Sequence, residues 1–262
     1  MTSRLLVRGL LLGLGVAILA IGAVAWILGS KLIDPANHPV TLPAGFEART
    51  VSIPGAGHAV AGWWVDEGQG SPVILLVHGI RADRFSMVTR AQLLTRHGFS
   101  VLLIDLQAHG ETPGTAITLG YRESADVVAA RDWIRRTAPG RRTGVIGMSL
   151  GGASVLLAPQ PVGLLLQLQL QPRLHVSESE LEPIRSIGRL AAPVLVVAGS
   201  RDEHTTLPES RELFAAAAES KAMWVVEGAT HQDFLRYDRA GYERNVLQFL
   251  TQYLNPVALA ED

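Results

Sequence analysis

Gly144-Val145-Ile146-Gly147-Met148-Ser149-Leu150-Gly151-Gly152 carries the strongest local signal in the chain. A short apolar run leads into Gly147-x-Ser149-x-Gly151, an order that predicts strand, sharp turn and helix. A serine at such a turn stands exposed above the strand ends, on a strained backbone that only small neighbours permit. Gly147 and Gly151 remove side chains where the new helix must pass close to the sheet. Five residues of this kind also arise by chance, so the surrounding chain has to supply the context.

Working outward, Pro72-Val73-Ile74-Leu75-Leu76-Val77 and Val101-Leu102-Leu103-Ile104 are continuous apolar runs, the signature of strands buried on both faces. Asp83 caps a predicted helix running to about His97, and Arg122 to Arg136 is helical, with Val127, Val128, Ala130, Trp133 and Ile134 on its inner side. Ala48–Ile53 and Ala59–Asp66 read as two strands around the turn Pro54-Gly55-Ala56-Gly57, with Trp63 and Trp64 packing on the sheet. Beyond the serine, Pro193–Ala198 and Met223–Val226 are further strands. Pro208–Ala218 is a helix, and Tyr242–Leu254 is a terminal amphipathic helix burying Val246, Leu247, Phe249, Leu250 and Tyr253. Strands alternating with helices predict an α/β domain with a mostly parallel central sheet and helices on both faces. Ligands bind such sheets outside the carboxyl ends of the strands. The loops beginning at His78, Asp105, Ser149 and Gly199 all open there.

The composition narrows the functions. The chain has 262 residues and a formal net charge of −1, enough for one large domain and no field for nucleic acid. It contains no cysteine, which excludes disulfides, thiolate catalysis and cysteine-based zinc sites. The eight histidines lack H-E-x-x-H or another tight ligand spacing, so neither a metal site nor a cofactor is expected.

The amino terminus is different material. Residues 9–29, GLLLGLGVAILAIGAVAWILG, contain no charged residue. About 20 apolar residues suffice to cross a bilayer as a helix. Arg4 and Arg8 precede the run and Lys31 follows it, an asymmetry that leaves the amino terminus in the cytoplasm and the domain on the other side. A cleaved signal peptide is the rival reading, with Ala23-Val24-Ala25 as its cleavage site. Trp26-Ile27-Leu28 carries the apolar run past that site and favours an uncleaved anchor over residues 1–31. Residues 32–44, rich in turn formers, read as a linker; 45–255 form the α/β domain and 256–262 a tail.

A serine hydroxyl needs a base within hydrogen-bond reach, and the base needs a third group to fix its tautomer. His231 and Asp202 both follow strands whose carboxyl ends share an edge with Ser149. Glu203 is the alternative acid, but Asp202 sits in the Gly-x-x-Asp turn immediately off its strand. A tetrahedral intermediate would also need two N–H donors: Leu150, after the serine, and Ile80, after His78-Gly79. Asp105 and His109 are read as loop-shaping residues; His58, His97, His175 and His204 are read as ordinary.

These segments together resemble the α/β-hydrolase superfamily: Leu75-Leu76-Val77-His78-Gly79, Asp105 to Thr112, Gly147 to Gly152, Gly199 to Thr205 and Gly228-Ala229-Thr230-His231. The resemblance covers nearly all of residues 45–255 and is closest to bacterial serine hydrolases with an amino-terminal membrane helix. It implies Ser149 as nucleophile, His231 as base, Asp202 as acid, and acyl-ester or related substrates, whether small molecules or lipid-like.

One region departs from the pattern. Gly152 to Pro193 is short, and the helix after Ser149 must stop by Pro159-Gln160-Pro161. The Leu–Gln alternation from Leu166 onward lets Val162–Leu170 be either an exposed-face strand or a helix. Ser177-Glu178-Ser179-Glu180 reads as a capping box for a short helix. The resulting expectation is an open, lidless hydrolase tethered to a membrane. Its alternative is an inactive domain retained as a membrane-anchored binding protein.

Overall fold

The computed structural model describes residues 2–55, 57–156, 183–188, 190 and 192–254. In chain order the elements are helix α1 (Thr2–Ile33), strands β1 (Ala36–Asn37), β2 (Arg49–Pro54), β3 (Ala59–Val65) and β4 (Val73–Val77), helix α2 (Val88–Thr95), strands β5 (Ser100–Ile104) and β6 (His109–Gly110), helix α3 (Glu123–Thr137), strand β7 (Thr143–Gly147) and helix α4 (Leu150–Leu156). There follow helix α5 (Pro183–Ile187), strand β8 (Val194–Gly199), helix α6 (Leu207–Ala216), strand β9 (Lys221–Val226) and helices α7 (Phe234–Tyr237), α8 (Arg239–Tyr242) and α9 (Gln248–Leu254). The readings over residues 162–170, 177–180 and 256–262 lie outside the described residues.

The main sheet has the order β2-β3-β5-β4-β7. Its three strands nearest the site are parallel, as are β8 and β9, which pair with each other. The expectation of a mostly parallel sheet holds there. The sheet as a whole is mixed, because β2 pairs antiparallel with β3, and β3 antiparallel with β5. The β2–β3 pairing follows from the turn around Gly55 and Gly57, since a short hairpin can join only antiparallel neighbours, whereas parallel strands need a crossover; the β3–β5 pairing joins strands distant in sequence.

Every residue of β4 and β5 is buried, which explains why neither strand shows a polar alternation. Their side chains sort by period two. Ile74, Leu76, Val101 and Leu103 pack into a core with α2, Tyr242, Val246, Leu247 and Leu250. Val73, Leu75, Val77, Leu102 and Ile104 face the other way, against Ala130 and Ile134 of α3 and Leu150 of α4. Helices thus cover both faces. Trp63 and Trp64 go to opposite cores, Trp63 against Phe46 and Trp64 edge-on to Trp133 at 5.5 Å.

Two predicted helices are less regular than the sequence pattern suggests. The one capped by Asp83 begins as a 3-10 turn over Arg84–Met87, with the Asp83 carboxylate accepting from Phe85 N–H at 2.7 Å. The terminal helix is interrupted by a π turn over Glu243–Leu247 between α8 and α9. Val246, Leu247 and Leu250 are nevertheless buried as expected, while Phe249 and Tyr253 are half-buried and lie against each other, ring centres 4.9 Å apart.

Candidate active site

The turn after β7 is built as its glycines require. Ser149 has φ +49, the left-handed region that a residue with a side chain rarely enters. It is exposed at the carboxyl edge of the sheet, and α4 begins at the next residue. A Cβ on Gly147 would lie 2.5 Å from Gly152 N, and one on Gly151 would lie 2.4 Å from Val77 O and 2.6 Å from His78 O. All these neighbours are backbone atoms, so no side-chain rearrangement relieves the contact. Gly151→Ala is therefore expected to push α4 off the sheet, costing about 1–3 kcal/mol of stability and displacing Ser149; urea unfolding alongside an activity assay checks both.

Ser149 Oγ lies 3.1 Å from His231 Nε2, and His231 Nδ1 lies 2.8 Å from Asp202 Oδ2. The three residues come from the loops after β7, β8 and β9; β7 belongs to the five-stranded sheet and β8 and β9 form a pair of their own, so the Ser149–His231 contact bridges the two. Asp202 is only 7% exposed, yet its carboxylate is well supplied with donors. Oδ1 accepts from the N–H groups of His204 and Thr205 at 2.8 and 2.9 Å, and Oδ2 accepts from the Thr205 hydroxyl at 2.8 Å. Burial pushes the Asp202 carboxyl up, but the bonds from Thr205, His231 and His204 outweigh it and hold the carboxyl below its ordinary value. An ionised carboxylate only accepts, so His231 carries its proton on Nδ1 and presents Nε2 as the acceptor facing Ser149.

Asp202 and His231 are fixed relative to each other. Ser200 N–H donates to Val226 O at 3.1 Å and Arg201 N–H to Ala229 O at 2.9 Å, stitching the loop after β8 to the loop after β9. From the other side, Arg90 of α2 makes a two-point bond to Asp233, at 2.7 and 3.1 Å. Asp233 also caps α7, accepting from Leu235 N–H at 3.0 Å. The histidine loop is thus held two residues beyond His231.

His78 shapes the loop after β4. It is fully buried, accepts from Leu106 N–H on Nε2 at 3.0 Å and donates from Nδ1 to Gly79 O at 2.7 Å. Because a trans peptide points its N–H opposite to its C=O, fixing the Gly79 carbonyl also fixes the direction of the Ile80 N–H. A Cβ on Gly79 would lie 3.6 Å from Ser149 Cβ, so this loop runs directly beside the serine. The Leu150 N–H, at the first position of α4, has no partner within its helix.

Burial pushes the His78 imidazole down to about 3 from 6.5, and burial also lowers that of His109, whose ring lies 5.0 Å away. The folded protein keeps these rings neutral while the unfolded chain protonates them. The stability this provides is present above pH 6.5 and is lost as the pH falls toward 3. The expected slope is about 1.4 kcal/mol per pH unit for His78. Denaturant midpoints between pH 7 and pH 5 are expected to fall less steeply in His78→Asn than in the parent chain.

The structure therefore brings together Ser149, His231 and Asp202 with the loops carrying Ile80 and Leu150. Glu203, the alternative acid, is exposed. Asp105 lies off the site: it is buried, paired with Arg84, and accepts from the N–H groups of Arg84 and Glu111. His109 is likewise internal. His58 is less ordinary than its sequence context suggests, being 2.7 Å from Asp126, and His204 stands edge-on to His231 at 5.3 Å. Thr205, Arg90 and Asp233 escaped the sequence reading. Thr205 was findable, since it follows Asp202 by three residues, the spacing at which aspartate caps a turn. Arg90 and Asp233 stand 143 positions apart, and no local pattern links them. Among the described residues no group of three His, Asp or Glu side chains is placed to hold a metal ion.

Comparison with known proteins agrees with this architecture. The alpha/beta hydrolase family matches residues 74–174. An uncharacterized protein of Mycobacterium tuberculosis is 32% identical over 265 residues, covering 90% of this chain and 93% of the relative. An uncharacterized Bacillus subtilis protein is 21% identical over 236 residues, covering 76% and 77%. Among solved structures, an esterase of Pyrococcus furiosus superposes with a TM-score of 0.70 at 21% identity, covering 85% of this chain and all of that one. The alpha/beta hydrolase GrgF of a Penicillium species gives 0.67 at 14% identity, covering 80% and 99%. The family match over residues 74–174 and these superpositions show the alpha/beta hydrolase fold.

Proposed function

We propose that this chain is a membrane-tethered serine hydrolase that cleaves an acyl ester, or a related thioester or amide, through an acyl-enzyme on Ser149. The observation that carries the reading is the unbroken chain of hydrogen bonds from Ser149 Oγ through His231 to the buried Asp202. Ser149 Oγ attacks the substrate carbonyl carbon as His231 Nε2 takes the hydroxyl proton, and Asp202 stabilises the imidazolium that forms. The carbonyl oxygen becomes an oxyanion, received by the N–H groups of Leu150 and Ile80. Collapse breaks the bond to the leaving group, which takes the proton from His231. Water, deprotonated by the same nitrogen, then releases the acid and restores Ser149. No metal or cofactor enters any step.

The tether is α1, whose stretch Leu12–Lys31 is 20 residues long and apolar enough to span a bilayer. With Arg4 and Arg8 at its start, the amino terminus lies in the cytoplasm and the hydrolase domain outside it. The detergent-solubilised full chain is expected to hydrolyse short p-nitrophenyl esters, and Ser149→Ala to abolish turnover. A folded chain with no activity on any acyl-chain length would instead support a binding role. Equal activity in Ser149→Ala would refute the nucleophile.

A further inference from the structure

The residue after Ile80 reaches away from the site. Arg81 has φ +57, and its guanidinium Nη1 donates to the carbonyl oxygens of Lys31 at 2.9 Å and Asp34 at 3.1 Å. Carbonyls at a helix C-terminus lack partners within the helix and carry the negative end of its dipole, so a guanidinium is well suited to close α1. A second clasp lies beside it. Ile117 N–H donates to Ile33 O at 2.8 Å, and the Ile33 side chain packs with Ala116 and Leu119. The chain then enters β1, which pairs in parallel with β6, and the Asn37 amide donates to Thr112 O at 2.7 Å. His38 Nε2 meets Asp83 Oδ2 at 2.8 Å.

The segment that reads as a linker in the sequence is therefore bonded almost residue by residue to the loops after β4 and β5. These loops share an edge with Ser149. Only residues 32–35 separate the end of the apolar span from the first paired strand residue. Even fully extended, four residues reach about 14 Å. Large apolar side chains stand in water on the segments joined here: Phe85, two residues after the Asp83 that meets His38, is 50% exposed, and Leu42, four residues after His38, is 36% exposed.

We propose that the end of the anchor and the loop carrying Ile80 form one built unit that holds the mouth of the site against the bilayer surface, so that the substrate is an acyl ester resident in the same membrane. The proposal rests on the hydrolase reading above and gives it a substrate class. Arg81 is a positioning residue in this scheme: it orients the domain on its anchor and touches no reacting atom. A domain on a slack tether would sample all orientations and meet water-soluble and membrane-borne esters alike. A clasped domain meets the lipid of its own leaflet at high effective concentration.

The test uses the full chain in phosphatidylcholine vesicles. A fluorogenic oleoyl ester is placed in the same vesicles or in separate protein-free ones, with p-nitrophenyl acetate in water as the reference. Turnover of the oleoyl ester is expected to be at least about tenfold faster from the same membrane. A flexible Gly/Ser segment of about 12 residues inserted between Ser30 and Lys31 leaves the clasped residues on the domain and frees the anchor from them, but keeps the tether. Arg81→Asn removes the guanidinium with a residue that tolerates positive φ. Each is expected to lower the ratio of same-membrane to acetate turnover about tenfold. An unchanged ratio in both variants, or equal oleoyl turnover from the two vesicle populations, would overturn the proposal. A parent chain inert toward acetate as well would refute the hydrolase reading itself, and this inference with it.

Discussion

Alanine in place of His231 is expected to lower kcat for ester hydrolysis by about 10⁴- to 10⁶-fold. It is expected to leave stability within about 0.5 kcal/mol of the parent chain. The two halves of this expectation have separate origins. The imidazole is the only base bonded to Ser149 Oγ among the described residues, and without it the hydroxyl stays protonated at neutral pH. The ring is also exposed, and its polar contacts are to Ser149, Asp202 and Thr205 rather than to the core. Asp202→Asn is expected to approach the same loss in kcat, about 10⁴-fold, by a different route. An amide offers the imidazole an N–H where it needs an acceptor, which turns the histidine to the wrong tautomer. Steady-state kinetics with thermal melts on both variants separates chemistry from folding. Parallel falls in kcat and melting temperature would mean that these residues hold the fold together rather than act on a substrate.

Arg84→Met is expected to be the most damaging single change to stability, costing about 3–5 kcal/mol. Arg84 is 1% exposed and bonds at once to Asp105, to Glu111 and to Val40 O, with its guanidinium 4.5 Å above the Trp63 ring. Its loss leaves the fully buried Asp105 carboxylate without its cation. Burial already pushes the Asp105 carboxyl up against the pull of Arg84, so removal of that pull drives it toward the protonated form. Methionine keeps much of the packing volume, which confines the loss to the charge and its hydrogen bonds. The double variant Arg84→Met with Asp105→Asn is expected to be less destabilised than the two single losses summed, because the second change removes the stranded charge. Urea unfolding of the three variants measures this directly. A loss below about 1 kcal/mol in Arg84→Met would show that the pair is dispensable.

What the sequence reveals and what it hides follow a physical division. β4 and β5 are legible because burial on both faces leaves an unbroken apolar run with turn signals at its ends. The glycines around Ser149 are legible because a close backbone approach excludes every other residue, and the structure shows the contacts that enforce it. The order Ser149, Asp202, His231 is legible because each residue lies in the loop that follows a recognisable strand. The hairpin of β2 and β3 was also visible, although its consequence for the sheet, a mixed rather than purely parallel arrangement, depends on β3 joining β5. That pairing is set by packing and not by any local pattern. The Arg90–Asp233 bond, the Arg81 clasp and the π turn in the last helix were hidden for the same reason. Each depends on where distant parts of the chain meet, and arginine at positions 81, 84 and 90 looks alike in sequence whether it faces water or a buried carboxylate.

The claim at the centre of this account is that Ser149 is an activated nucleophile. It is tested most directly by treating the full chain with a fluorophosphonate probe and mapping the adduct by mass spectrometry. The expected result is a single covalent adduct on Ser149 that is lost in Ser149→Ala and strongly slowed in His231→Ala. A folded chain that stays unlabelled, or that is labelled at another residue, would contradict it.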